Sequence, residues 1–163
     1  MTTQWKRIAT AGMAALVLLA VSSGAFAHDL WVNAYAPKDG VLKAELGYGH
    51  DFPAPEPIAE ERLSIFNPLK LYTPDKVTEM EQKGENYAYE VSVDAQGGSY
   101  VVVGEYKPTF WSKSPEGKWS MTSRKETPDA AYSQEAVMFG KTILNFGDSR
   151  DNSFVTKPVG LRL

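Results

Sequence analysis

Two stretches decide the fold: Tyr87-Ala88-Tyr89-Glu90-Val91-Ser92-Val93 and Tyr100-Val101-Val102-Val103-Gly104-Glu105-Tyr106, separated by a turn at Gln96-Gly97-Gly98. The first alternates apolar and polar residues with a period of two, the signature of a half-buried strand. The second is nearly continuous in valine and tyrosine, which suits a strand covered on both faces. With glycine between them, the pair predicts a β-hairpin at the centre of a sheet.

The same reading extends in both directions. Leu30 to Tyr35 is rich in β-formers, Pro37-Lys38-Asp39-Gly40 has turn chemistry, and Val41 to Tyr48 carries Leu42, Ala44, Leu46 and Tyr48 at alternate places. These predict a second antiparallel pair. Asp51 to Pro57 contains three prolines and must be a loop. Leu63–Phe66, Leu69–Tyr72 and Val77–Glu81 are short strand candidates, interrupted by Pro68 and Pro74. Phe110-Trp111 and Lys118–Met121 flank a turn at Ser114-Pro115-Glu116-Gly117. Thr127-Pro128-Asp129 offers a helix start, so Ala130–Phe139 is predicted helical, with strand resuming near Thr142 and a polar loop over Gly147–Asn152. Many short strands with frequent turns imply an all-β chain: an immunoglobulin-like antiparallel β-sandwich with at most one short helix.

The N-terminus is of another kind. Lys6 and Arg7 precede an apolar run from Ala11 to Val21, and Ala25-Phe26-Ala27 is a small-x-small site. This is the pattern of a cleaved secretory signal, and the run is about half the 20 apolar residues a spanning helix needs. The expected organisation is a signal over residues 1–27 and a single β-sandwich metal-binding domain over 28–163, working in the periplasm without stable membrane insertion. The last residues, Val159-Gly160-Leu161-Arg162-Leu163, end while an alternating pattern is still running. The domain is therefore expected to be incomplete at its C-terminus.

Cleavage removes two basic residues and no acid, lowering the net charge from −3 to −5. That balance gives no reason to expect nucleic acid or anionic lipid as a partner. The absence of cysteine leaves stability to packing and removes thiolates as nucleophiles or ligands. No G-x-S-x-G elbow or phosphate-binding glycine loop is present, and the expected role is non-enzymatic.

Only two histidines occur, His28 and His50. A cut after Ala27 gives His28 a free α-amine beside its imidazole, and a metal deprotonates such an amine at neutral pH. If the strands from residue 30 and to residue 48 pair across their turn, His50 lies at the same end, within bridging distance. Three nitrogens suit Ni(II) or Cu(II) in tetragonal geometry. Asp29, Asp51 and Glu45 are candidate oxygen ligands or hydrogen-bond acceptors for the histidines. Met121 and Met138 are soft donors that would favour Cu(I), although isolated methionines usually fill cores.

Ala27-His28-Asp29-Leu30-Trp31-Val32 and Gly47-Tyr48-Gly49-His50-Asp51-Phe52-Pro53 together resemble the DUF4198 family, with weaker similarity at Gly104–Pro108 and Phe139-Gly140-Lys141. The resemblance implies the additional periplasmic component of nickel or cobalt uptake systems of the energy-coupling-factor (ECF) type. It also implies that a second β domain follows in longer relatives, and it carries over to His28 and His50. The expected function is capture of Ni(II), or Co(II), for a membrane permease. A copper protein built on a histidine brace, as carrier or oxidase, and a metal-free β-sandwich interaction module are the alternatives.

Overall fold

The computed structural model describes residues 28–94, 98–146 and 153–156; the expected signal over residues 1–27, the turn residues Gln96-Gly97, the loop Gly147–Asn152 and the C-terminal stretch Val159–Leu163 lie outside them. Strand β1 (Asp29–Ala34) turns through Asp39 and Gly40 into β2 (Val41–Gly49). Both turn residues are left-handed, at φ 53° and 76°. This is the twist a two-residue hairpin needs, and Asp-Gly meets it at low cost. The β1–β2 register runs from Ala34↔Ala44 out to Asp29↔Gly49.

A 3₁₀ turn (Glu60–Ile65) follows the proline loop, then β3 (Lys70–Tyr72), β4 (Val77–Glu79), β5 (Glu81–Gln82), β6 (Ala88–Ser92), β7 (Gly98–Lys113), β8 (Trp119–Ser120), β9 (Tyr132–Phe146) and a 3₁₀ turn (Ser153–Thr156). Two antiparallel sheets result: one ordered β1-β2-β6-β5, the other β4-β3-β7-β8 with β9 also on β7. The chain is an all-β sandwich. Leu42, Leu46, Leu69, Leu71, Val102 and Tyr106 form its interior.

Three expectations are corrected. The stretches at 87–93 and 100–106 are strands, but they do not pair. β6 lies between β2 and β5, whereas β7 has β3 on one side and β9 on the other. The chain therefore crosses from one sheet to the other where a hairpin was expected. The valine run is covered on both faces as expected: Val102 enters the main core, while Val101 and Val103 pack with Phe154, Tyr72 and Val155 outside it.

Ala130–Phe139 is not a helix. From Tyr132 onward it is β9, where Ala136, Met138, Thr142, Leu144 and Phe146 face inward at alternate places. Pairing with β7 along nearly its whole length outweighs the local helical preference, which is a weak prior. Finally, Leu63–Phe66 falls largely within the 3₁₀ turn instead of forming a strand.

β1, although at a sheet edge, is held by β9 from the opposite sheet. Gly140 abuts the Trp31 backbone, and the Thr142 hydroxyl donates to the Val32 carbonyl. The Trp31 indole in turn lies over Gly47, where a Cβ would come within 1.9 Å of the ring. A side chain at either glycine would displace β1 and whatever it carries.

Candidate metal centre

Leu30 pairs with Tyr48 and Asp29 with Gly49, so His28 and His50 face each other just past the last rung. Pleating gives both the parity of Leu30 and Tyr48, which point inward. Their ring centroids are 4.5 Å apart, tilted by 33°. His28 also stacks on Tyr48 at 4.7 Å and 9°. Tyr48 is braced edge-on by Phe66 at 5.0 Å and lies 6.0 Å from Tyr106, whose hydroxyl accepts a 2.6 Å hydrogen bond from Trp111 Nε1. The His28 ring is thus seated on a packed aromatic column, which restricts the rotamers it can adopt.

The surroundings favour the neutral imidazole. Burial, above all, lowers the His28 pKa from its ordinary 6.5; His50 and the Arg62 guanidinium add to this, while Glu56 and Asp29 oppose it. A metal needs the unprotonated ring. Burial, followed by the neighbouring Tyr106, raises the Tyr48 pKa, so its phenol stays neutral across the physiological range.

His28 forms one wall of a cleft of about 270 Å³, with Tyr48, Arg62, Tyr106, Trp111, Trp119, Gln134, Ala136 and Met138. Arg62 reaches it from the 3₁₀ turn, with Nη1 3.5 Å from His28 Nε2. The segment leading to that turn is fastened by Asn86, which accepts from Ile58 N at 2.9 Å and donates to the Ile58 carbonyl. Lys107 Nζ donates to Ser64 O at 2.7 Å from the other sheet. Glu56 comes up against Gly49 on the outward side of the hairpin end.

The sequence-predicted residues therefore divide. The structure brings His28 and His50 together. Asp29 leaves β1 on the opposite face and is exposed, and Asp51 is exposed in the loop after His50. Glu45 is five rungs away, roughly 17 Å at 3.4 Å per rung, and accepts from Tyr35 Oη at 2.8 Å. Met138 lines the cleft, whereas Met121 is exposed. Arg62 and Glu56 carry no motif, and sequence reasoning passed over both. Among the described residues no group of three or more His, Cys, Asp or Glu converges. A third nitrogen donor would have to be the main-chain amine at His28. Among the same residues no helix is long and apolar enough to cross a membrane.

Comparison with known proteins places the chain in a family. A domain of unknown function, DUF4198, matches residues 25–163. An uncharacterized protein of Haemophilus influenzae (strain ATCC 51907 / DSM 11121 / KW20 / Rd) is 28% identical over 144 residues, covering 86% of this chain and 56% of that protein. The chain thus spans little more than half the length of that curated relative. No solved structure matches. A family match from just before His28 through both sheets shows that the chain belongs to the DUF4198 family.

Proposed function

We propose that the chain is exported, cut after Ala27, and acts in the periplasm as a nickel-binding protein. Cobalt is the second cargo, and an ECF-type membrane permease is the recipient. The observation that carries this reading is the meeting of the only two imidazoles at the open end of the β1–β2 hairpin, 4.5 Å apart between centroids. The lowered His28 pKa supports it, because the ring is ready to coordinate without first losing a proton. In the cut protein the α-amine and imidazole of His28 and the imidazole of His50 supply three nitrogens, leaving positions from which an ion can be passed on. Asp29 and Asp51 remain candidate oxygen donors at the rim, and Glu56, on the outward side with Asp29, adds negative charge near His28. The role is binding and delivery, not catalysis.

Copper is a second reading, supported by Met138, which lines the same cleft as His28. Divalent affinity order also favours Cu(II) over Ni(II) at nitrogen sites. One experiment separates the readings. Protein beginning at His28, and the same protein with one residue added before it, are titrated with Ni(II), Co(II) and Cu(II) by calorimetry. Loss of most nickel affinity in the extended form is expected. Equal affinity in both forms removes the amine from the site, no binding by either favours a metal-free module, and tight copper with weak nickel selects the second reading.

A further inference from the structure

Arg62 is out of place in a site for a bare cation. Its guanidinium lies 3.5 Å from a nitrogen of His28, so an ion on that ring would meet a like charge at close range. Among the described residues no carboxylate forms an ion pair with it. The acidic groups acting on His28, Glu56 and Asp29, belong to the outward side of the hairpin end, while Arg62 occupies the cleft side. The cleft walls beyond it are aromatic: Tyr48, Tyr106, Trp111 and Trp119. At about 270 Å³ the cleft is slightly smaller than the roughly 300 Å³ at which drug-sized pockets begin.

We propose that this cleft takes a small carboxylate chelator of the α-hydroxy- or α-amino-acid class, so that the metal is held as a chelate and not as a bare ion. This inference rests on the metal-binding reading above. A carboxylate set between ion and guanidinium reverses the repulsion into two attractions. It can meet the planar donor fork of Arg62 in the two-bond fashion that geometry favours. The same molecule supplies donors to the coordination positions that three protein nitrogens leave open. Its carbon skeleton lies against the rings instead of water. Arg62 and the aromatic column then select the chelator, and the histidines select the metal.

The test is equilibrium dialysis of the protein beginning at His28, wild type and Arg62→Gln. Nickel chloride is used alone or with radiolabelled citrate or, separately, radiolabelled L-histidine. Wild type is expected to retain nickel and one of the two labels in equal amounts. Arg62→Gln should retain that label at least about tenfold more weakly, the loss expected for a charge-assisted pair, yet bind nickel alone more tightly because a like charge has gone. Arg62→Lys, which restores charge but not the fork, should fall between, and thermal melts verify that each variant is folded. Nickel retained by wild type with neither label overturns the chelate and leaves the metal-binding reading standing. Equal retention of label by wild type and Arg62→Gln, or by wild type with and without nickel, also overturns it. No nickel retained in any arm overturns both.

Discussion

Replacing Gly140 with alanine tests the contact that holds the site together. A Cβ there would stand 2.8 Å from Trp31 Cα, 2.9 Å from Trp31 C and 3.2 Å from Leu30 O. Unstrained carbon contacts begin near 3.5 Å, so β9 and β1 must separate by roughly 0.7 Å. No flexible side chain can yield, because the atoms in the way are backbone. Overpacking of this kind costs about 1–3 kcal/mol. The Thr142–Val32 hydrogen bond lies two residues along, and its loss adds about 0.5–1.5 kcal/mol. The lower entropy of the unfolded alanine chain returns about 0.4–1 kcal/mol. The net expectation is a loss of about 0.5–4 kcal/mol, centred near 2, or a fall in Tm of roughly 2–14 °C for a domain of this size, read by circular dichroism and checked by the urea midpoint. Nickel affinity should fall with it, since β1 leads directly into His28. Gly98→Ala is the control: its Cβ would meet only Tyr100 Cε2, at an ordinary 3.7 Å, and it should stay within about 0.5 kcal/mol of wild type. A Gly140→Ala protein as stable as that control would refute the argument that β9 clamps β1.

Two further outcomes are expected. Following the histidine ring protons by NMR through a pH titration should show His28 titrating below 6.5, because burial, His50 and Arg62 disfavour its charged form. With a folded pKa below the unfolded one, the folded state binds fewer protons in the window just under 6.5. Stability is complete above 6.5 and declines as pH falls from there to the folded value; a His28 midpoint above 6.5 reverses the sign and contradicts the described surroundings. Leu46→Ala, which empties a fully buried position beside Gly104 and Val32, should cost about 2–5 kcal/mol. A measured loss under 1 kcal/mol in a urea melt would show that the sheets do not meet there as described.

The two histidines were legible because everything that joins them is local. Asp39-Gly40 specifies the turn, and the β1–β2 ladder carries residue 28 to residue 50, after a one-residue register shift between the Lys38–Val41 bridge and the Ala34–Ala44 pair. Ligand order beyond them was not legible. Asp29 and Asp51 stand next to the histidines in sequence, but pleating turns Asp29 to the opposite face of β1, and Asp51 lies beyond the end of β2 in an exposed bend. Neighbours along a strand therefore do not share a site. Arg62 reaches His28, and Glu56 the outward side of the hairpin end, only because the proline loop folds back and is fastened through Ile58 to Asn86.

From sequence alone the protein is an all-β chain with a histidine pair at one hairpin end, because two-residue periodicity and turn chemistry act over a few neighbouring residues. Tertiary structure alone decided that β6 and β7 part into different sheets, that residues 132–146 extend as β9 instead of coiling, and that a guanidinium faces His28. The third depends on where the loop before the 3₁₀ turn is fastened, and the first two on which strand finds room beside which. That competition is settled by pairing and burial between residues far apart in the chain, which no local pattern records.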